Sequence, residues 1–170
     1  METTKDTRVV CDAGPLIHLQ QLTAIDVLDF AEVLVPEAVW QEVLRHAPAA
    51  LQAASVRFSR AEDPSSIDPA LEALGRGLAL GQGELAAIGI AQRESSCILL
   101  TDDAAARLAA ESLRLRVHGT IGVILRSLRT GLRSASQVIE LLEAVPSRST
   151  LHIRKNILDE AIRQVRERYP

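Results

Sequence analysis

Aromatic residues are almost missing from this 170-residue chain: Phe30, Trp40, Phe58 and Tyr169 are the whole set. Nucleic-acid binding on a platform of stacked rings is a poor hypothesis for such a sequence. Cysteine is nearly as scarce, and Cys11 and Cys97 form no CxxC pair, so small buried hydrophobes are expected rather than metal or redox chemistry. In parallel strands whose ends align at Asp12 and Asp102, Cys97 would lie about four residues below Cys11, roughly 13 Å away and too far for a disulfide. No apolar run reaches membrane-spanning length and the opening residues 1–6 carry no signal-peptide pattern, so no membrane partner and a cytoplasmic location are expected. Lysine occurs only at positions 5 and 155. With a lone acid after the first strand instead of a pair, this argues against a phosphate-accepting receiver domain. His18, His46, His118 and His152 are scattered, which argues against a two-histidine nuclease. Internal repeats and low-complexity segments are absent as well.

What remains is an apolar and unevenly charged chain. Hydrophobic residues make up 47%, which argues against disorder, and the length suits a single domain, residues 1–170. Residues 1–103 carry 16 acids and 7 bases, a net −9, whereas residues 104–170 carry 6 acids and 12 bases, a net +6. Such a split is either uneven solvated surface or an acidic pocket beside a basic wall, as a metal-dependent enzyme acting on a polyanion would need.

Strands and helices alternate. Strands are expected at 8–11, 31–35, 56–59, 97–101 and 116–118. Helices are expected at 14–19, 23–30, 37–46, 70–75, 84–93, from 104 through Ala110, 120–129, 134–145 and 151–168. This alternation predicts a three-layer α/β/α fold on a mostly parallel, five-stranded sheet, whose strand carboxyl ends and helix amino ends share one rim. In the last helix Ile153, Ile157, Ala161, Ile162 and Val165 form an apolar stripe, either docked on the core or open to a partner. Arg126 and Arg129, three apart on the helix that begins at Thr120, are candidate phosphate contacts near that rim, with Arg107, Arg114 and Arg133 as further candidates.

The rim gathers acids. Asp12 ends the first strand, Asp102 and Asp103 end the 97–101 strand, Glu84 opens the helix before it, and Glu42 lies roughly 8–9 Å into the helix after the second strand. Each alone has a bland explanation, as a helix cap, a dipole partner or surface. Asp12 resists it best, since Gly14 beside Pro15 is the more natural cap. Four unpaired carboxylates on one edge repel one another, and hard divalent cations, Mg²⁺ or Mn²⁺, are their natural partners.

The ordered set Val9-Val10-Cys11-Asp12-Ala13-Gly14-Pro15-Leu16-Ile17, Trp40-Gln41-Glu42-Val43, Gly81-Gln82-Gly83-Glu84, Leu99-Leu100-Thr101-Asp102-Asp103 and Gly119-Thr120-Ile121-Gly122 resembles a PIN domain. It is most similar to the solitary prokaryotic members, many of them toxins of VapC-type toxin–antitoxin pairs. The resemblance runs from about Val9 to Gly131 and leaves the 134–168 helices outside it. It implies an endoribonuclease using one or two Mg²⁺ or Mn²⁺ ions, acting on RNA as a homodimer, with a small antitoxin as partner. Carried over, Asp12, Glu42, Glu84 and Asp103 match the acidic quartet, Asp102 is a further candidate ligand, and Thr101 and Thr120 are supporting hydroxyls. Two departures stand out: Glu84 replaces a frequent Asp, and Ala104-Ala105-Ala106 replaces a basic residue after the final acid. The alternative is a weak or inactive PIN-like module that binds RNA or protein.

Overall fold

Aliphatic runs that are apolar on both faces need cover above and below, and they form a central parallel sheet. The computed structural model describes residues 7–94 and 96–169. Its strands are β1 (Arg8–Cys11), β2 (Glu32–Pro36), β3 (Arg57–Ala61), β4 (Ile98–Leu100) and β5 (Arg116–His118). They pair in parallel in the order β3-β2-β1-β4-β5. The helices are α1 (Ala13–Gln21), α2 (Glu37–His46), α3 (Pro69–Leu78), α4 (Gln82–Arg93), α5 (Ala104–Ser112), α6 (Thr120–Arg129), α7 (Ala135–Arg148) and α8 (Lys155–Arg168). The three-layer α/β/α fold expected from the alternation is the one that forms.

Side-chain alternation along the strands divides the core in two. Val9, Cys11, Val33, Val35 and Leu100 pack with α1, α2, α6, α7 and α8. Val10 and Leu99 pack on the other face with α3, α4 and α5. Cys11 pairs with Leu100 in register, so Asp12 and Thr101 leave the sheet side by side. Cys97 then lies three residues below Cys11, not four, or roughly 10 Å, and both thiols are free.

Several expectations are corrected. The helix expected at 23–30 is only a four-residue 3₁₀ turn, Ile25–Leu28, because Thr23 takes a left-handed φ of 55° and little chain remains before β2. β3 lies slightly later than expected. The last helix starts at Lys155: residues 151–154 form no helix, and Arg154 just before it has an extended backbone.

The tail is core. Leu158, Ile162 and Val165 of α8 are buried in the same cluster as Val138, Leu142 and Val145 of α7 and Val9 of β1, although Ile157 is exposed. At roughly 1.5–3 kcal/mol for each buried aliphatic side chain, α8 supplies about 5–9 kcal/mol, against a typical whole-domain stability of ~5–15 kcal/mol. Truncation after residue 148 is therefore expected to unfold the protein rather than only alter its association. Circular dichroism with thermal melting checks this; a truncated chain melting at the full-length temperature would contradict it.

Candidate active site

Parallel topology delivers the acids to the carboxyl edge. Asp12 follows β1 and is 7% exposed. Contrary to the expectation for Gly14, Asp12 itself is the N-cap of α1: its Oδ1 accepts from the Ala13 N–H at 2.8 Å. Its Oδ2 accepts from the Thr101 hydroxyl at 3.0 Å. Thr101 in turn accepts from the Asp103 N–H at 3.2 Å, so one buried hydroxyl braces two acidic segments. Asp103 caps α5, its Oδ1 accepting from the Ala106 N–H at 2.7 Å. Glu84 turns back at the start of α4 to accept from the Gly81 N–H at 2.7 Å.

Asp12, Glu42, Glu84 and Asp103 line one cavity of about 590 Å³. Gly83 sits where a Cβ would lie 3.7 Å from Glu42 Oε2 and 4.0 Å from Asp12 Oδ1, so its missing side chain leaves the gap between these acids open. Arg45 also lines the cavity, yet none of the four acids forms an ion pair among the described residues. The electrostatic result is expected. Burial, with a smaller push from Glu84 and Glu42, raises the Asp12 carboxyl from 3.8 to about 6, against the pull of its two hydrogen bonds. Glu84 is raised too, by burial and by the charges of Asp103 and Glu42, although the Gly81 N–H pulls the other way.

Asp102 is adjacent in sequence and opposite in character. Its Oδ2 meets His18 Nδ1 at 2.7 Å and the Thr120 hydroxyl at 2.5 Å, and its Oδ1 accepts from the Thr120 N–H at 2.7 Å. Burial would raise this carboxyl, but these bonds outweigh it and hold Asp102 below the usual carboxylate value. Asp102 thus ties β4 to α1 and to the start of α6, and the Thr120 hydroxyl is spent on that tie. Gly119 makes room for it: a Cβ there would come within 2.6 Å of Asp102 Oδ1. Gly119→Ala is expected to cost roughly 1–3 kcal/mol through this clash, read as a lowered denaturant midpoint. An unchanged midpoint would mean the Asp102 tie yields freely.

The basic candidates scatter. Arg107 reaches the rim, donating to the Thr101 carbonyl at 3.3 Å. Arg126 stacks on Phe30, 4.2 Å from the ring centroid, just before β2 at the opposite edge, and Arg129 lies a further turn away. The expectation of a pair near the rim is corrected. α6 begins at the rim and runs away from it, so six to nine residues carry these arginines roughly 9–14 Å off. Arg133 is paired with Asp26 at 2.5 Å, and Arg114 sits in the α5–β5 turn, also at the far edge.

Sequence reading missed His18, Thr150, Leu151 and His152, which join the cavity wall. His18 had a signal, being one helical turn beyond Gly14 on α1; the 150–152 strip had none.

The chain matches a family model described as a PIN domain over residues 8–167. It belongs to the PIN-domain family. The match runs through α7 and into α8, so the tail expected to fall outside the resemblance is part of the PIN domain, in keeping with its packing. A search of the curated proteins gave no match. PIN domains are generally nucleases, and the acid-lined cavity lies at the carboxyl ends of the strands, where open α/β sheets bind ligands. Among the described helices, none is long and apolar enough to cross a membrane.

Proposed function

We propose that the protein is a Mg²⁺- or Mn²⁺-dependent endoribonuclease whose site is built from Asp12, Glu42, Glu84 and Asp103. One observation carries the reading: four carboxylates from four segments face one cavity without an ion-paired base, and Asp12 is pushed up to about 6 there. Hard oxygen donors of like charge fit a hard divalent cation in chemistry. Among the described residues no three such groups stand close enough to one point to hold an ion as they are placed. When bound, such an ion supplies positive charge for a phosphodiester and lowers the pKa of water beside it.

The chain's own residues prepare that chemistry. The Ala13 N–H and the Thr101 hydroxyl fix both oxygens of Asp12, so little reorganisation is left to it. Asp103 is held by the same threonine and by its own cap, while Glu42 has no hydrogen bond of its own among the described residues and is free to adjust. No protein nucleophile is required. Asp102, with both oxygens engaged, is read as a positioning residue rather than a ligand.

The absence of a preformed three-ligand point favours a second reading, a weak or inactive PIN-like module binding RNA or protein. Incubating single-stranded RNA with the protein in Mn²⁺, in EDTA, and with Asp12→Asn purified alongside, separates the two. Cleavage only by the wild type with Mn²⁺ is expected; binding without cleavage would select the module. The toxin role, the homodimer and the antitoxin rest on the family resemblance, and a cytoplasmic setting on the sequence features given above. Co-expression with the product of an adjacent small gene, followed by light scattering of the complex, tests them.

A further inference from the structure

The acidic cavity does not end at its acids. Thr150, Leu151 and His152, in the link between α7 and α8, form one of its walls. The same three residues also line a second cavity of about 510 Å³, together with Pro146, Ile153 and Arg154. That volume lies within the ~300–1,000 Å³ range of small-molecule sites. The shared strip is held in place. The Thr150 N–H and hydroxyl donate to Gln21 Oε1 at 2.8 and 3.2 Å, and His152 Nδ1 lies 3.0 Å from the Thr150 carbonyl.

The second cavity differs in chemistry from the first. Leu151, Ile153 and Pro146 give it apolar faces, and no carboxylate lines it. Its one cation, Arg154, is exposed and its guanidinium has no hydrogen bond or ion pair among the described residues, whereas the neighbouring Lys155 is paired with Asp159 at 2.7 Å. An apolar wall, an imidazole on the ridge and an unpaired guanidinium are the means by which proteins hold a single-stranded base and its phosphate when Phe, Tyr and Trp are scarce.

We propose that this second cavity is the subsite for the nucleotide next to the scissile phosphodiester, with a single-stranded RNA crossing the Thr150–His152 ridge from the acidic cavity. The inference rests on the nuclease reading above. His152 supplies a face for the base, and Arg154 takes the phosphate beyond it.

The test uses full-length Asp12→Asn, which is expected to bind without cutting, and a single-stranded octaribonucleotide carrying one 4-thiouridine stepped along its length. Wild-type cleavage in Mn²⁺ locates the scissile bond. Irradiation is expected to cross-link residues 150–154 when the thiouridine neighbours that bond. In the same background Arg154→Ala is expected to weaken binding about 10-fold and to reduce the salt slope by about one. His152→Ala should weaken binding and leave the slope unchanged. Both side chains are exposed, and unchanged melting temperatures confirm intact folding. Cross-links confined to other segments, or undiminished affinity of both variants, overturn the subsite while leaving cleavage intact. Wild-type protein that binds but never cuts removes the nuclease reading and the subsite with it, as does no binding at all.

Discussion

Replacing Asp12 with asparagine is expected to raise the melting temperature of the metal-free protein at neutral pH while lowering RNA cleavage roughly 100-fold or more. Asparagine keeps a side-chain oxygen for the Ala13 N–H, so the cap of α1 survives; the charge is lost, and so is the acceptor for the Thr101 hydroxyl, which offsets roughly 1 kcal/mol of the relief. That charge is costly. An acid whose folded pKa is about 6 instead of 3.8 binds its proton more readily in the native state than in the unfolded chain. The fold is therefore penalised above about pH 6, by about 3 kcal/mol, and the penalty disappears as pH falls toward 3.8. For a chain of this size that is roughly 6–12 °C. The advantage of Asp12→Asn over wild type should thus be full near pH 7 and shrink on acidification to pH 4. Saturating Mn²⁺ is expected to stabilise the wild type, by about 2.7 kcal/mol at 100 times its Kd, and the mutant far less. A mutant that melts lower than wild type in EDTA, and gains as much from Mn²⁺, would sink the proposed metal site.

Asp102→Ala is expected to do the reverse: destabilise strongly at neutral pH with no benefit in EDTA. The carboxylate satisfies His18 Nδ1 together with the N–H and hydroxyl of Thr120, which is itself fully buried. Removing it strands these groups in the interior, at a cost of roughly 3–5 kcal/mol in all. The pH signature also inverts. A folded pKa below 3.8 contributes stability that is present above that value and is lost as pH falls through the folded one. The gap between wild type and Asp102→Ala should therefore stay constant from pH 7 to about 5 and close only in stronger acid. Urea denaturation at several pH values measures it. If Asp102→Ala behaved like Asp12→Asn, gaining stability without metal, the two neighbouring acids would share one role and Asp102 would join the cluster.

The contrast between these two acids marks the limit of what the chain reveals by itself. Alternating apolar segments determined the three-layer fold, because a strand apolar on both faces can only be buried between helices, and parallel connections then send Asp12, Glu42, Glu84 and Asp103 to one edge. That much is local pattern plus handedness. Local pattern could not divide Asp102 from Asp103, since both end the same strand, and only the family resemblance set Asp103 in the quartet with Asp102 as a further candidate. Only the approach of His18 and Thr120 from α1 and α6 binds one of them, while Thr101 turns the other toward Asp12. The arginines of α6 were misjudged because helical spacing gives a shared face but not a height above the sheet. For the tail, an apolar stripe does not name its partner, so docking on the core and opening to a partner stayed level until Leu158, Ile162 and Val165 were seen buried in one cluster with Val138, Leu142 and Val145 of α7. For the same reason the Thr150–His152 wall left no mark in the sequence: it faces the acids through a contact with Gln21 that depends on where α1 ends, a matter of three-dimensional packing.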